Sequence, residues 1–162
     1  MRALRHLFAP SSARLFPEPL LRRVAAAIAA SEARHAGEIC FAVEAALPLR
    51  LALVDHRPRE RALEVFARLR VWDTEANNGV LVYMLLADHA IEIVADRGFN
   101  GRVDTEAWAA ICRDLEQAMR AGDTEAGVLR AVDAISALLE RHFPRREGYV
   151  DTNELPDRPH ML

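Results

Sequence analysis

Val80-Leu81-Val82-Tyr83-Met84-Leu85-Leu86-Ala87-Asp88-His89-Ala90-Ile91-Glu92-Ile93-Val94-Ala95-Asp96-Arg97-Gly98 is the stretch that decides the fold. Its first half is a near-continuous apolar run, the pattern of a central strand covered on both faces. Asp88-His89 makes a short turn, and Ala90 to Ala95 comes back as an antiparallel partner, a β-hairpin. Asp96 to Gly101 then reads as a loop, and the polar segment Asp73 to Gly79 leads into the hairpin from the other side.

Outward from the hairpin, Glu38 to Glu44 reads as a buried strand introduced by Gly37. Residues 45 to 56 are ambiguous: Leu47, Leu49, Leu51 and Leu53 alternate like a strand, but Pro48 interrupts the run. Four helices are expected. The first runs from about Pro19 to His35, with Leu20, Leu21, Val24, Ala27 and Ile28 on one face. The second runs from Pro58 to about Arg70, with Ala62, Val65, Phe66 and Leu69 at helical spacing. A third carries Trp108, Ile111, Cys112, Leu115 and Met119, capped by Asp104 or Thr105. Gly122 ends it, and a fourth extends from about Asp123 to His142, where Pro144 stops it.

Helices around three or four strands imply an α/β fold with helices on both faces of a small mixed sheet. The strand at Glu38 should pair parallel with the strand at Gly79 through a crossover containing the Pro58 helix. The expected organisation is an N-terminal arm over 1–18, one α/β domain over 19–143 and a C-terminal tail over 144–162. The tail, rich in prolines and charges, reads as a loosely ordered surface arm. Its motif Asn153-Glu154-Leu155-Pro156-Asp157 suggests no function.

Composition narrows the chemistry. With 162 residues and 51% hydrophobic content the chain suits one globular domain. A formal net charge of -3 argues against a general nucleic-acid or anionic-membrane binder. All 21 basic residues are arginine, which removes Schiff-base and P-loop lysine chemistry. Cys40 and Cys112 sit in apolar surroundings and read as reduced core residues. No segment approaches the ~18 apolar residues of a membrane span, and Leu7-Phe8-Ala9 is too brief for a secretory leader. The expected location is cytoplasmic. GxGxxG, GxSxG and HExxH are all absent, and the six histidines are scattered.

Strand direction suggests where the polar residues gather. In the hairpin, Asn78 and Gly79 should neighbour Ala95 and Asp96. A parallel strand at Glu38 begins at that same end. Three loops would therefore converge, bringing Glu32, Glu38, Asp73, Thr74, Glu75, Asn77, Asn78, Asp96 and Arg97 together, with His35 nearby. Carboxylates and amides on glycine-rich backbone suit a hard cation such as Ca²⁺ or Mg²⁺. Arg97 could hold a phosphate or carboxylate with paired hydrogen bonds. The same residues are also common turn material, able to cap adjacent amides with no ligand at all.

The order of short motifs carries a likeness. Gly37-Glu38-Ile39, Val71-Trp72-Asp73-Thr74, Asn78-Gly79-Val80-Leu81-Val82-Tyr83 and Ile93-Val94-Ala95-Asp96-Arg97-Gly98, followed by Trp108, resemble the TPM domain over roughly Pro19 to Phe143. The resemblance implies a three-layer α/β/α sandwich and divalent-metal binding. For some members it implies acid phosphatase activity, or a role in assembly and repair of membrane complexes. Carried onto this chain, the metal-site residues are Asp73, Thr74, Asn78 and Asp96, with Glu38 added, and the catalytic pair is Asp96 and Arg97. The expected ligands are a divalent cation and a phosphorylated small molecule. The competing reading is a non-catalytic, metal-stabilised module with a protein partner.

Overall fold

The structure, a computed structural model, describes residues 2–9, 11–146, 148 and 153–162. Its sheet has four strands: β1 (Glu38–Glu44), β2 (Gly79–Leu85), β3 (Ala90–Ala95) and β4 (His160–Met161), in the order β3-β2-β1-β4. β1 and β2 run parallel with Glu38 opposite Gly79, and β2 and β3 run antiparallel with Val80 opposite Ala95. The hairpin turns through a tight 3₁₀ segment, Leu86–Asp88, and a left-handed His89.

The described residues form seven α-helices: α1 (Arg2–Leu7), α2 (Ser12–Leu15), α3 (Glu18–Glu32), α4 (Leu49–Leu53), α5 (Pro58–Arg68), α6 (Thr105–Arg120) and α7 (Thr124–His142). The four long ones are those expected from periodicity. Asp104 caps α6 by accepting from the Glu106 amide, which satisfies one of the free donors at that terminus. α5 stops at Arg68, two residues short of the expected end, where Arg70 takes a left-handed backbone. α3 ends at Glu32, and the chain beyond it pairs with the segment that follows α7, His35 bridging to Pro144.

Alternation along the strands sorts the core into two layers. Ile39, Phe41, Val43, Val80, Val82 and Met84 pack against α3, α6 and α7. Cys40, Ala42, Leu81, Tyr83 and Leu85 face the other way, onto α4 and α5. The result is the three-layer α/β/α sandwich. In the ambiguous region, Pro48 turns out to be the N-cap of α4, and only Ala52 of that helix is buried.

The tail differs from expectation. Residues 153–162 are not a loose arm: β4 pairs parallel with β1, Ala42 opposite His160 and Val43 opposite Met161. Leu155 is buried in the α5-side core, and the Leu162 amide donates to Val43 O at 2.9 Å. A two-residue strand has too little length to show a period-two pattern, so its side chains gave no warning.

Candidate functional site

The three loops do meet at the end of the sheet where β1 and β2 begin. The Asp96 amide donates to Gly79 O at 2.9 Å, Gly98 N to Asn77 O at 2.9 Å, and Glu38 N to Asn78 O at 3.4 Å. Asn78 Nδ2 reaches Ala36 O at 2.8 Å, and Arg97 Nε reaches Asn77 Oδ1 at 2.8 Å. Two glycines permit this closeness. A Cβ on Gly79 would collide with the Val71 carbonyl oxygen, and one on Gly98 with the carbonyls of Asn77 and Ala76. Only backbone fits where these loops cross.

Within that frame most of the expected site residues hold the loops. Asp73 is exposed and pairs with Arg70. Thr74 Oγ1 accepts from the Asn78 amide at 3.0 Å. The Glu38 carboxylate, 3% exposed, accepts the amides of Glu154 at 3.2 Å and Leu155 at 3.4 Å. The Glu154 carboxylate in turn accepts the Glu75 amide at 3.1 Å. The motif at residues 153–157 is thus a clip that fastens the tail to the first strand and the 73–79 loop. Glu38 and Glu154 sit 116 positions apart, so no local pattern could have revealed the clip. His35 is buried and engaged at both ring nitrogens, by Gly37 O at 3.1 Å and Ser31 Oγ at 3.2 Å. It does not face the loops as a proton donor.

Two acceptors are left over. Asp96 Oδ1 caps the turn after β3 by accepting the Arg97 amide at 2.7 Å, while Asp96 Oδ2 is buried and meets no donor among the described residues. Asn78 Oδ1 is in the same condition. Asp96 makes the contact with Gly79 and Asn78 precedes Gly79 in the chain, yet the two line different clefts. Asp96 lines a cleft of about 540 Å³ between β3 and α6, with Arg59, Glu92, Thr105, Trp108 and Cys112. Asn78 lines another, bounded by the end of α7. Among the described residues no group of three or more His, Cys, Asp and Glu is placed to hold a metal.

The larger cleft has a polar side and an aromatic side. Arg59 donates through Nη1 to Ile93 O and lies 3.6 Å from Glu92. Burial pushes the Glu92 carboxyl above its ordinary range, and Arg59 works against that rise. Burial likewise lifts Cys112 to about 11, aided by the Glu92 charge. Trp108 stands edge-on to Phe99 at 5.4 Å, and Phe99 to Phe143 at 4.9 Å. Arg59 and Glu92 were missed in the sequence. A charged residue between Ile91 and Ile93 was the one signal that this strand borders something other than core.

A model of the TPM domain matches residues 12–138 of the sequence. This chain belongs to the TPM domain family. The fold agrees with that membership. The TPM chain resembles the solution structure of the BA42 protein from the psychrophilic bacterium Bizionia argentinensis, at 23% identity and a TM-score of 0.76. The match covers 94% of this chain and 95% of that one. It also resembles the N-terminal domain of a P. gingivalis protein, at 16% identity and a TM-score of 0.64, over 85% and 86% of the two chains. No curated protein matches it. No helix among the described residues of this TPM domain is long and apolar enough to cross a membrane.

Proposed function

We propose that this TPM domain binds a divalent cation through Asp96 and hydrolyses a phosphoester held in the cleft beneath α6. The observation that carries the reading is Asp96 Oδ2, a buried carboxylate oxygen with no donor among the described residues, on a residue that lines the cleft. Leaving such an oxygen unmatched costs about 1–3 kcal/mol or more, and a hard cation is the partner its chemistry suits. Asp73, Thr74, Asn78 and Glu38 were the other expected ligands. Asp73, Thr74 and Glu38 are engaged elsewhere, so the cation's remaining ligands would come from backbone carbonyls and water. A site with one carboxylate belongs at the weak end of the affinity range, since ligand charge sets the strength.

When bound, the cation would polarise the ester and lower the pKa of a water. The chain's own contribution is positional. Arg59, which lines the cleft, is the group to hold phosphate oxygens through its guanidinium fork; Arg97, the other expected catalytic residue, is turned to Asn77 and is not among the lining residues. Glu92, whose burial favours the protonated form, is the residue in the cleft able to retain a proton in mild acid and deliver it to the leaving oxygen. Trp108 and Phe99 wall the cleft on its apolar side. The test is cleavage of p-nitrophenyl phosphate by the purified chain with Ca²⁺, Mg²⁺ or Mn²⁺ at acid and neutral pH. Asp96→Asn should abolish turnover, and Glu92→Gln should remove the acid-side rate. Absence of turnover under every condition sinks the enzymatic reading.

A second reading has its own observation. Buried Thr74 and Glu38 hold backbone and exposed Asp73 holds an ion pair, so the 73–79 loop is kept rigid from beneath, as a recognition loop needs. In that reading the domain is a non-catalytic, cation-stabilised module that meets a protein partner. Its signature is a melting temperature that rises with Ca²⁺ by mass action and ceases to rise in Asp96→Asn, with no turnover in either protein.

A further inference from the structure

The second cleft, about 380 Å³ in volume, lies between the start of β2 and the end of α7 and is lined by Asn78, Arg102, His142, Phe143 and Arg146, with Ala36. None of its lining residues among those described carries a carboxylate, although the chain as a whole has a net charge of -3. The two arginines make it a local positive well, and such wells draw anions. Arg102 is held in place: its Nη1 donates to His142 O at 3.2 Å and its guanidinium lies 5.1 Å from the Phe143 ring centroid.

Asn78 adds what a plain anion site would lack. It is 1% exposed, and its Oδ1 is buried with no donor among the described residues. The amide cannot be turned round to remove the mismatch. Nδ2 donates to Ala36 O at 2.8 Å, and a flip would set Oδ1 against that carbonyl, acceptor facing acceptor. The cleft therefore offers positive charge together with one buried acceptor that needs an N–H or O–H. A fully deprotonated oxyanion can satisfy the arginines but not Oδ1. An oxyanion that keeps one proton satisfies both.

We infer that this cleft binds a protonated phosphate, held by Arg102 and Arg146 while its P–O–H donates to Asn78 Oδ1, and that it discriminates against sulfate. The chemistry is the same for inorganic hydrogen phosphate and for the terminal group of a phosphomonoester, and protonation distinguishes these two sources. Hydrogen phosphate keeps its proton at neutral and mildly alkaline pH. A monoester loses its last proton near a pKa of about 6, so it fits only in mild acid. The inference does not depend on a cation at Asp96.

The experiment is isothermal titration of the full chain with inorganic phosphate, sulfate and methyl phosphate, with EDTA present so that a cation site contributes nothing. Inorganic phosphate should bind at about pH 8 and sulfate about tenfold more weakly or worse, as expected of a site left with an unmatched buried polar group. In His142→Gln, which removes the imidazole from the lining, methyl phosphate should still bind at about pH 5 and fail at about pH 8, on either side of that pKa. Arg146→Gln, a change at an exposed side chain, should weaken phosphate about tenfold while leaving the melting temperature of the free protein unchanged; Arg102→Gln should weaken it as well. Equal affinity for sulfate and phosphate overturns the role of Asn78. Undiminished binding in folded Arg146→Gln and Arg102→Gln, or no phosphate binding by the native chain, overturns the site.

Discussion

Replacing Glu38 by alanine should unfasten residues 153–162 while leaving the hairpin and the helices in place. The Glu38 carboxylate accepts two amide donors from the tail, at 3.2 and 3.4 Å. Hydrogen bonds to a charged group contribute about 1.5–3 kcal/mol each, and lengths above 3 Å place these two near the lower figure, about 3 kcal/mol together. Other contacts share the hold. Burial of Leu155 contributes about 2 kcal/mol, β4 adds a two-residue pairing, the Glu154 carboxylate accepts the Glu75 amide, and exposed Arg158 donates twice to Glu18. Ordering a chain costs about 1–2 kcal/mol per residue in backbone entropy, so the docked tail has little surplus. Losing about 3 kcal/mol should then raise the undocked population by roughly a hundredfold. Amide hydrogen exchange reads this directly. Exchange at Leu162, whose N–H donates to Val43 O at 2.9 Å, should speed up by about that factor, while amides in β2 change far less. Glu38→Gln, which keeps one acceptor oxygen, should show a smaller effect. Unchanged protection at Leu162, or an equal loss throughout the sheet, would refute the reasoning.

Other expectations follow from the core. In Gly79→Ala the new methyl meets a backbone carbonyl that cannot yield, so the variant should lose about 2–4 kcal/mol, or roughly 4–16 °C of melting temperature for a chain this size. Glu44→Ala strands Arg61 and Tyr83, which donate to its carboxylate at 2.8–2.9 Å and 2.6 Å from sites close to fully buried. It should cost about 3–5 kcal/mol in urea unfolding, whereas the triple change Glu44→Leu, Arg61→Met and Tyr83→Phe, which leaves no buried partner unmatched, should come near to neutral. Cys40 is pushed up to about 12 from an ordinary 9.0 by burial. A raised folded pKa means that its contribution to stability is complete below pH 9.0 and is lost as pH climbs toward 12. Thiol labelling of the native protein should be negligible at pH 8 and should begin with the less buried Cys112 in stronger alkali, as mass spectrometry would show.

The parts of the fold that could be read from sequence were those with a period and a boundary. β1 was expected over the residues it occupies because Gly37 opens it and its apolar run is unbroken to Glu44. The hairpin was readable because Asp88-His89 separates two β-rich runs, and strand direction then brought the three loops together by geometry alone. The chemistry of the loops was not readable, because Thr74, Asn78 and Asp96 are the same residue types whether they cap backbone or hold a ligand. That choice depends on where each oxygen points. Glu38 is the plainest case, since its partners lie in a segment with no periodicity of its own. The region around Pro48 misled through its alternating leucines, because a five-residue helix is too short to display a turn-by-turn pattern.

One arginine has a consequence beyond the cleft it borders. Among the described residues β3 is the outermost strand, with β2 on one side only, and bare strand margins invite a neighbouring molecule's strand to add on. At Ile93 the carbonyl is taken by Arg59 and the backbone also contacts the Cys112 thiol. A charged plug in the middle of that margin interrupts any incoming ladder, so crowded copies of the chain resist knitting together into fibrils.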